Sequence, residues 1–421
     1  MGSEWTAQEV PGRDLMGDPR TYIMLIQGRE YRDDDAPGSS LSQQKAEAAA
    51  SAAVASERAM KTLGVCYDAG VVKDIPWRPS LDAQTARREM EIIRRDLHCT
   101  AVRVVARDVA RLEMAAEAAL EAGLDVWFSP TVWDRGPDET IADTVRAARA
   151  AERLRSAAPG RITFVVGGEL TLFMRGILPG RTLNARLRKM MASGAIRSGA
   201  HNQPLNAVLA RLEAAVRPIF AGPLTYASLP WEAVDWSRFD IVGIDHYRAA
   251  RIKDRYVDML TPLLATGKPV VDTEFGNPSC VGGDEMSALS IAPNIDAISF
   301  ILHALPGLGR FVRPRVAKII ARDEALQARE LTETLAILDA AGVEGAFVST
   351  FIFAIMPYDP DPRYDLDACS AGLVRPLARG RRGTTFPDMP WEPKEAFRAV
   401  ADYYRAGTRA GQPTSPLQSG T

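Results

Sequence analysis

Lys268 to Gly276 reads KPVVDTEFG: a turn-forming Gly267-Lys268-Pro269 leads into the apolar pair Val270-Val271, and an acid, Glu274, stands where so short a buried strand ends. A strand with a carboxylate at its C-terminal end delivers that group to the mouth of a parallel β-barrel. Upstream, Arg161 to Glu169 (RITFVVGGE) has the same grammar: a β-branched and aromatic run, paired glycines, then Glu169. If both strands belong to one sheet, both carboxyls reach one rim.

Around these stretches the chain alternates strand and helix. Leu63–Tyr67, ending at Asp68, is the first strand, followed by an amphipathic helix over Thr85–Leu97. Ala101–Val105 is the second strand, with an alanine-rich helix over Arg111–Ala122 stopped by Gly123. Asp125–Ser129 is the third, closed by Pro130 and leading into Thr131-Val132-Trp133; the helix Glu139–Ala158 then feeds the Glu169 strand. Such a succession requires a parallel sheet, because each helix carries the chain back across a face. Helices over Leu183–Met191 and Leu205–Val216 precede a fifth strand at Leu224–Ala227. A sixth, Asp240–Ile244, ends in Asp245-His246-Tyr247-Arg248. A helix over Arg255–Leu264 leads to the Glu274 strand. The helix Glu324–Ala341, an eighth strand at Gly345–Phe351 and a closing helix over Pro393–Tyr404 complete the pattern.

The fold class expected is therefore α/β, a (β/α)8 TIM barrel over residues 61–405, with an N-terminal extension at 1–60 and a flexible tail at 406–421. An open doubly wound sheet is the alternative, but no GxGxxG or phosphate-loop signature stands at a strand end. The extension is polar apart from Tyr22–Ile26, carries Asp33-Asp34-Asp35, and ends in an alanine-rich helix over Gln43–Met60. Long connections at Leu170–Pro204, Asn277–Arg322 and Ala354–Pro390 follow strands on the carboxyl-terminal face and read as a partial roof over the pocket. In the last, Tyr358–Asp367 contains Asp359, Asp361, Asp365 and Asp367. A proline-stiffened surface loop, a lure for a cationic ligand and a calcium loop without its usual glycine turn are the open readings.

The net charge of −2 on 421 residues gives no basic face for phosphate contacts, so no nucleic-acid partner is expected. Cys66, Cys99, Cys280 and Cys369 are scattered without CxxC spacing, which suits free thiols in a reducing cytoplasm and implies no cysteine metal site. The opening MGSEWTAQEV has no basic region followed by an apolar core, and the apolar runs are too short to span a bilayer. A cytoplasmic protein without membrane contact, metal or cofactor is expected, its oligomeric state left open.

A strand-four glutamate, a strand-seven TEFG and a strand-six Asp-His-Tyr together resemble the clan A glycoside hydrolases, a superfamily of retaining (β/α)8 enzymes. The resemblance spans about Leu63 to Tyr404 and is most specific over Lys268–Gly276. It implies that Glu169 protonates the glycosidic oxygen and that Glu274 attacks the anomeric carbon, the two carboxyls lying roughly 5 to 5.5 Å apart. It further implies that Arg103 supplies a cation beside Glu274 and that Tyr247 donates a hydrogen bond to it. Substrate contacts are expected from Asp68, Arg103, Trp133, His246, Tyr247 and Phe351, with Trp231 and Phe353 as alternative aromatic platforms. The expected ligand is a small glycoside or sugar-containing metabolite.

The chain departs from that family immediately before the acid/base position. An asparagine whose amide contacts the sugar 2-hydroxyl is the family's residue there; this chain has Gly168. Another residue takes over the contact, the substrate lacks an ordinary 2-hydroxyl, or common glycosides are not hydrolysed. Two alternatives follow: a non-hydrolytic acid/base enzyme of specialised metabolism on the same fold, and a catalytically silent ligand-binding barrel. A metal site built from Asp68, Glu169, His246 and Glu274 is a further reading, which His98, His201 and His303 do not reinforce by spacing.

Overall fold

The computed structural model describes residues 60–410 apart from 73–74, 77, 79–80, 194–195, 286–293, 297, 300–301, 303–310 and 379. The expected helix at Gln43–Met60, nearly all of the extension and the last part of the tail lie outside these residues. Parallel strands close into a barrel: β1 (Thr62–Asp68), β2 (Ala101–Ala106), β3 (Asp125–Pro130), β4 (Ile162–Gly168), β5 (Leu224–Ser228), β6 (Val242–Ile244), β7 (Val270–Phe275) and β8 (Gly345–Val348). Closure is made by β1, which pairs with β2 through Gly64 to Asp68 and with β8 through Thr62 to Val65. The fold is thus the α/β barrel that the alternation of strand and helix implies.

Alternation within the strands divides the side chains between two layers. Cys66, Trp127, Val165, Val271 and Phe347 pack together inside the barrel, while residues such as Val65, Val104, Phe128 and Phe164 face the helices. The interior is tight enough that Gly64 has no alternative: a Cβ there would come within 2.2 Å of the Phe347 ring. Outside, the alanines of the helices Val109–Glu121 and Pro137–Ala157 lie buried against the sheet, which brings helix and strand backbones close. Each of the helices Ala83–Arg95, Val109–Glu121 and Glu324–Ala340 starts at an aspartate, Asp82, Asp108 or Asp323, whose carboxylate accepts an amide N–H of the first turn.

The second half is less regular than its sequence period. Instead of one helix over 255–264, the chain forms a 3-10 turn at Ala250–Arg255 and a short helix at Thr261–Leu264. Pro262 explains the break, since it offers no N–H for a continuous helix and its ring clashes with the preceding turn. The closing helix Glu395–Ala410 runs past residue 405. In the acidic connection every aspartate is matched: Asp359 by Arg313, Asp361 by Arg363, Asp365 by Arg322, and Asp367 by both Arg322 and buried Lys394. These acids hold the loops after β7 and β8 together, and the readings as a cationic lure or a calcium loop fall away.

The first and last segments of the barrel are joined by one buried carboxylate. Glu89, with no exposure, accepts from Arg78 Nη2 at 2.8 Å, from the Tyr67 hydroxyl at 2.5 Å and from Trp391 Nε1 at 2.8 Å. Leaving such partners without their counter-charge costs far more than losing an exposed pair. Glu89→Ala should therefore lower unfolding free energy in urea by about 3–5 kcal/mol. Glu121→Ala, which removes the exposed Arg87 pair, should cost about 1 kcal/mol or less.

Candidate functional site

At the carboxyl-terminal mouth, Asp68, Arg103, Trp133, Glu169, Asp245 and Glu274 all line one cavity of about 220 Å³. Glu274 sits in β7 with its side chain 30% exposed, and donors converge on both of its oxygens. Oε1 accepts from the Tyr247 hydroxyl at 2.5 Å and from Ser349 Oγ at 3.1 Å, and Oε2 faces Arg103 Nη1 at 3.3 Å. Three donors on one carboxyl hold both of its oxygens in fixed positions.

Arg103, on β2, is almost wholly buried. Its Nη1 also meets Asp245 Oδ1 at 3.2 Å and the Thr273 carbonyl at 2.9 Å, so one nitrogen ties β2 to the ends of β6 and β7. Asp245 is fixed from the other side by the Thr273 hydroxyl at 2.6 Å. Burial still pushes the Asp245 carboxyl up to about 7, against the pull of Arg103 and with Glu274 adding to the rise. Asp245 was readable only as part of the Asp-His-Tyr run; its packing against Arg103 is a tertiary fact without a local signature.

Glu169 follows β4 in a left-handed backbone conformation, φ 49°. Such a conformation is uncommon for a residue with a side chain, and here the following segment is clamped. The Tyr226 hydroxyl accepts the Leu170 N–H at 2.8 Å and donates to Glu232, which in turn accepts the N–H groups of Thr171 and Leu229. Burial raises the Glu169 carboxyl well above the ordinary glutamate range; Asp245, Glu274 and Glu232 add to the rise, and Arg103 opposes it. The two glutamates therefore sit in contrasting surroundings: one is desolvated among like charges, the other is surrounded by donors.

Gly168 has a steric reason. A Cβ at this position would stand 3.2 Å from Arg103 Nη2 and 3.3 Å from the Ala227 Cβ, so the guanidinium lies against the place where a side chain would begin.

The remaining expected residues divide. Asp68 lines the cavity and accepts the Gly70 N–H at 2.7 Å, its carboxyl raised by burial. Trp133 reaches the cavity but stacks one face on Phe173, centroids 4.3 Å apart and rings 7° from parallel. Tyr247 acts on Glu274 and is not part of the lining. His246 is wholly buried off the cavity, parallel to the Tyr256 ring at 4.0 Å, with Nε2 3.0 Å from the Tyr256 carbonyl. Burial lowers its pKa to about 4, leaving it neutral, so it holds the strand end rather than meeting a ligand. Phe351 is likewise wholly buried, between Tyr67 and Trp391, and Phe353 lines the cavity in its stead. Trp231 packs edge-on with His201, away from the cavity. Ser349, at the end of β8, is a donor to Glu274 that sequence reading passed over. Among the described residues no group of three His, Cys, Asp or Glu side chains could hold a metal ion. None of their helices is long and apolar enough to cross a membrane.

No protein-family model matches the chain, and no curated protein matches its sequence. Solved structures do match in shape. A GH113 β-1,4-mannanase aligns with TM-score 0.50 and 16% identity, over 82% of this chain and 99% of the mannanase. Bacteroides uniformis β-glucuronidase 3 aligns with TM-score 0.49 and 14% identity, over 82% of this chain but only 37% of its own. The mannanase alignment bears on the fold alone, which it supports as a (β/α)8 barrel.

The raised Glu169 carboxyl is directly measurable. In protein labelled with 13C at the glutamate carboxyls, the Glu169 resonance, assigned by its loss in Glu169→Gln, should titrate above the ordinary range. Asp245→Asn should move that titration down and Arg103→Met should move it up, since the first removes a like charge and the second an opposite one.

Proposed function

We propose that the protein is a glycosidase-type hydrolase acting on a compact, neutral glycoside by a retaining mechanism, with Glu169 as acid/base and Glu274 as nucleophile. The observation that carries this reading is the pair of carboxyls in one cavity with opposite environments. A protonated Glu169 can hand its proton to the leaving oxygen, and a donor-rich Glu274 can attack from the opposite side of the sugar. Arg103, Tyr247 and Ser349 hold the attacking oxygens in place, and water later enters with Glu169, now ionised, as its base.

Cavity size and charge narrow the substrate. A volume of about 220 Å³ lies below the usual range of about 300–1,000 Å³ for drug-sized ligands, which favours a single sugar unit with a compact leaving group over a polymer segment. Arg103 is the one basic residue among the described lining, and it already faces Asp245 and Glu274. An acidic sugar would find no free cation, so neutral glycosides are favoured over uronides. The buried free thiols of Cys66, Cys99 and Cys280 suit the reducing cytoplasm in which we place the protein. Gly168 keeps a second reading alive, an acid/base enzyme on a non-glycoside substrate that uses the same two glutamates.

The test is a panel of neutral aryl glycosides and matching uronides, with product stereochemistry followed by proton NMR. Retention of configuration is expected, with neutral substrates preferred and Glu274→Gln slower by about a thousandfold or more. The alkaline limb of kcat/KM should follow Glu169: activity is kept while that carboxyl is protonated and falls as pH rises through its elevated pKa. For substrates with a highly activated leaving group, Glu169→Ala should abolish that limb. Turnover of none of the glycosides would shift the assignment to the second reading.

A further inference from the structure

Arg103 carries more donors than its protein partners use. Nη1 is shared among Asp245, Thr273 and Glu274, and Nε reaches Ser129 Oγ at 3.4 Å. Among the described residues Nη2 donates to none, although Arg103 is only 4% exposed and belongs to the cavity lining. Being part of the cavity wall, the guanidinium can complete its hydrogen bonding with a ligand or water. Its Nη2 lies against Gly168, the last residue of β4, where a Cβ would stand 3.2 Å from it.

We propose that Gly168 and Arg103 form one specificity device: the absent side chain at 168 exposes Arg103 Nη2, which donates to a neutral hydroxyl on the sugar carbon next to the reacting one. The inference rests on the glycosidase reading above and adds to it the group that the site selects.

Position sets the substituent. Nη1 of the same guanidinium is 3.3 Å from the Glu274 oxygen, and Nη2 lies on the Gly168 side, towards Glu169. An acceptor on Nη2 is therefore held between the attacking carboxylate and the acid. The leaving oxygen belongs to Glu169 and the ring oxygen gives up electron density as the glycosidic bond breaks, so the acceptor suited to Nη2 is the hydroxyl on the neighbouring carbon. Charge sets its chemistry: Asp245, Glu274 and Asp68 already surround the space, so an anionic acceptor is repelled and a hydroxyl is not. One guanidinium thus orients the nucleophile through Nη1 and the substrate through Nη2. A lysine at 103 would keep a cation near Glu274 but cannot present two fixed donors. An alanine at 168 would place its methyl against Nη2 and displace the donor without removing it.

The experiment measures binding, so it does not depend on turnover. Deoxynojirimycin and deoxymannojirimycin, which carry the hydroxyl in its two configurations, are compared by calorimetry with fagomine, which lacks it. The wild type should bind the better of the hydroxylated pair at least about tenfold more tightly than fagomine, the size of a hydrogen bond to a charged donor. In Arg103→Lys and in Gly168→Ala that ratio should fall to about one, and in Gly168→Ala fagomine affinity should change little, each variant being checked for an unchanged melting temperature. If Arg103→Lys fails to fold, Gly168→Ala alone decides. A ratio of one in the wild type, or a ratio that survives in the variant, would overturn the proposal while leaving the glycosidase reading intact. Failure of all three iminosugars to bind would count against both.

Discussion

The arrangement depends on a single buried cation. Arg103 enters the barrel from β2 and meets acids from β6 and β7 through one nitrogen, so the mouth on that side cannot relax without exposing unpaired charge. Thr273 supports the same knot with its carbonyl to Arg103 and its hydroxyl to Asp245. Gly168 follows from it as well, since the guanidinium lies where a larger residue would begin. A departure that looks in the sequence like a lost catalytic contact is in space the room made for Arg103.

From this knot the two glutamates acquire different chemistry. Glu274 is met by a guanidinium, a phenol and a serine hydroxyl, whereas Glu169 shares its neighbourhood with Asp245, Glu274 and Glu232. Burial and like charge favour the neutral acid at Glu169, while convergent donors fix the oxygens of Glu274 in place. The left-handed backbone at Glu169 is sustained by the Tyr226 and Glu232 hydrogen bonds beneath it, which fix the direction of the acid without touching the cavity centre.

Much of the framework could be read directly from the chain, because strand ends announce themselves through a β-branched run followed by glycine or an acid. The positions of Asp68, Arg103, Glu169 and Glu274 on one rim follow from that grammar, and their roles stay proposals. What could not be read depends on partners far away in sequence. His246 sits one residue from cavity-lining Asp245, but its ring lies on Tyr256, and only the folded 3-10 segment reveals that platform. Phe351 and Phe353 are indistinguishable by composition; the chain after β8 turns so that the first meets Trp391 and the second meets the cavity. The acidic run after Tyr358 looked open until Arg313, Arg322 and Lys394 arrived from other segments to neutralise it.

The central claim is that Glu274 forms a covalent bond to sugar. Intact-protein mass spectrometry after incubation with activated 2-deoxy-2-fluoro glycosides, followed by peptide mapping, measures this directly. The account predicts one added glycosyl unit on the peptide containing Glu274, absent from Glu274→Gln. An adduct on another carboxylate, or hydrolysis of the same sugars without any adduct and with inversion, would contradict it.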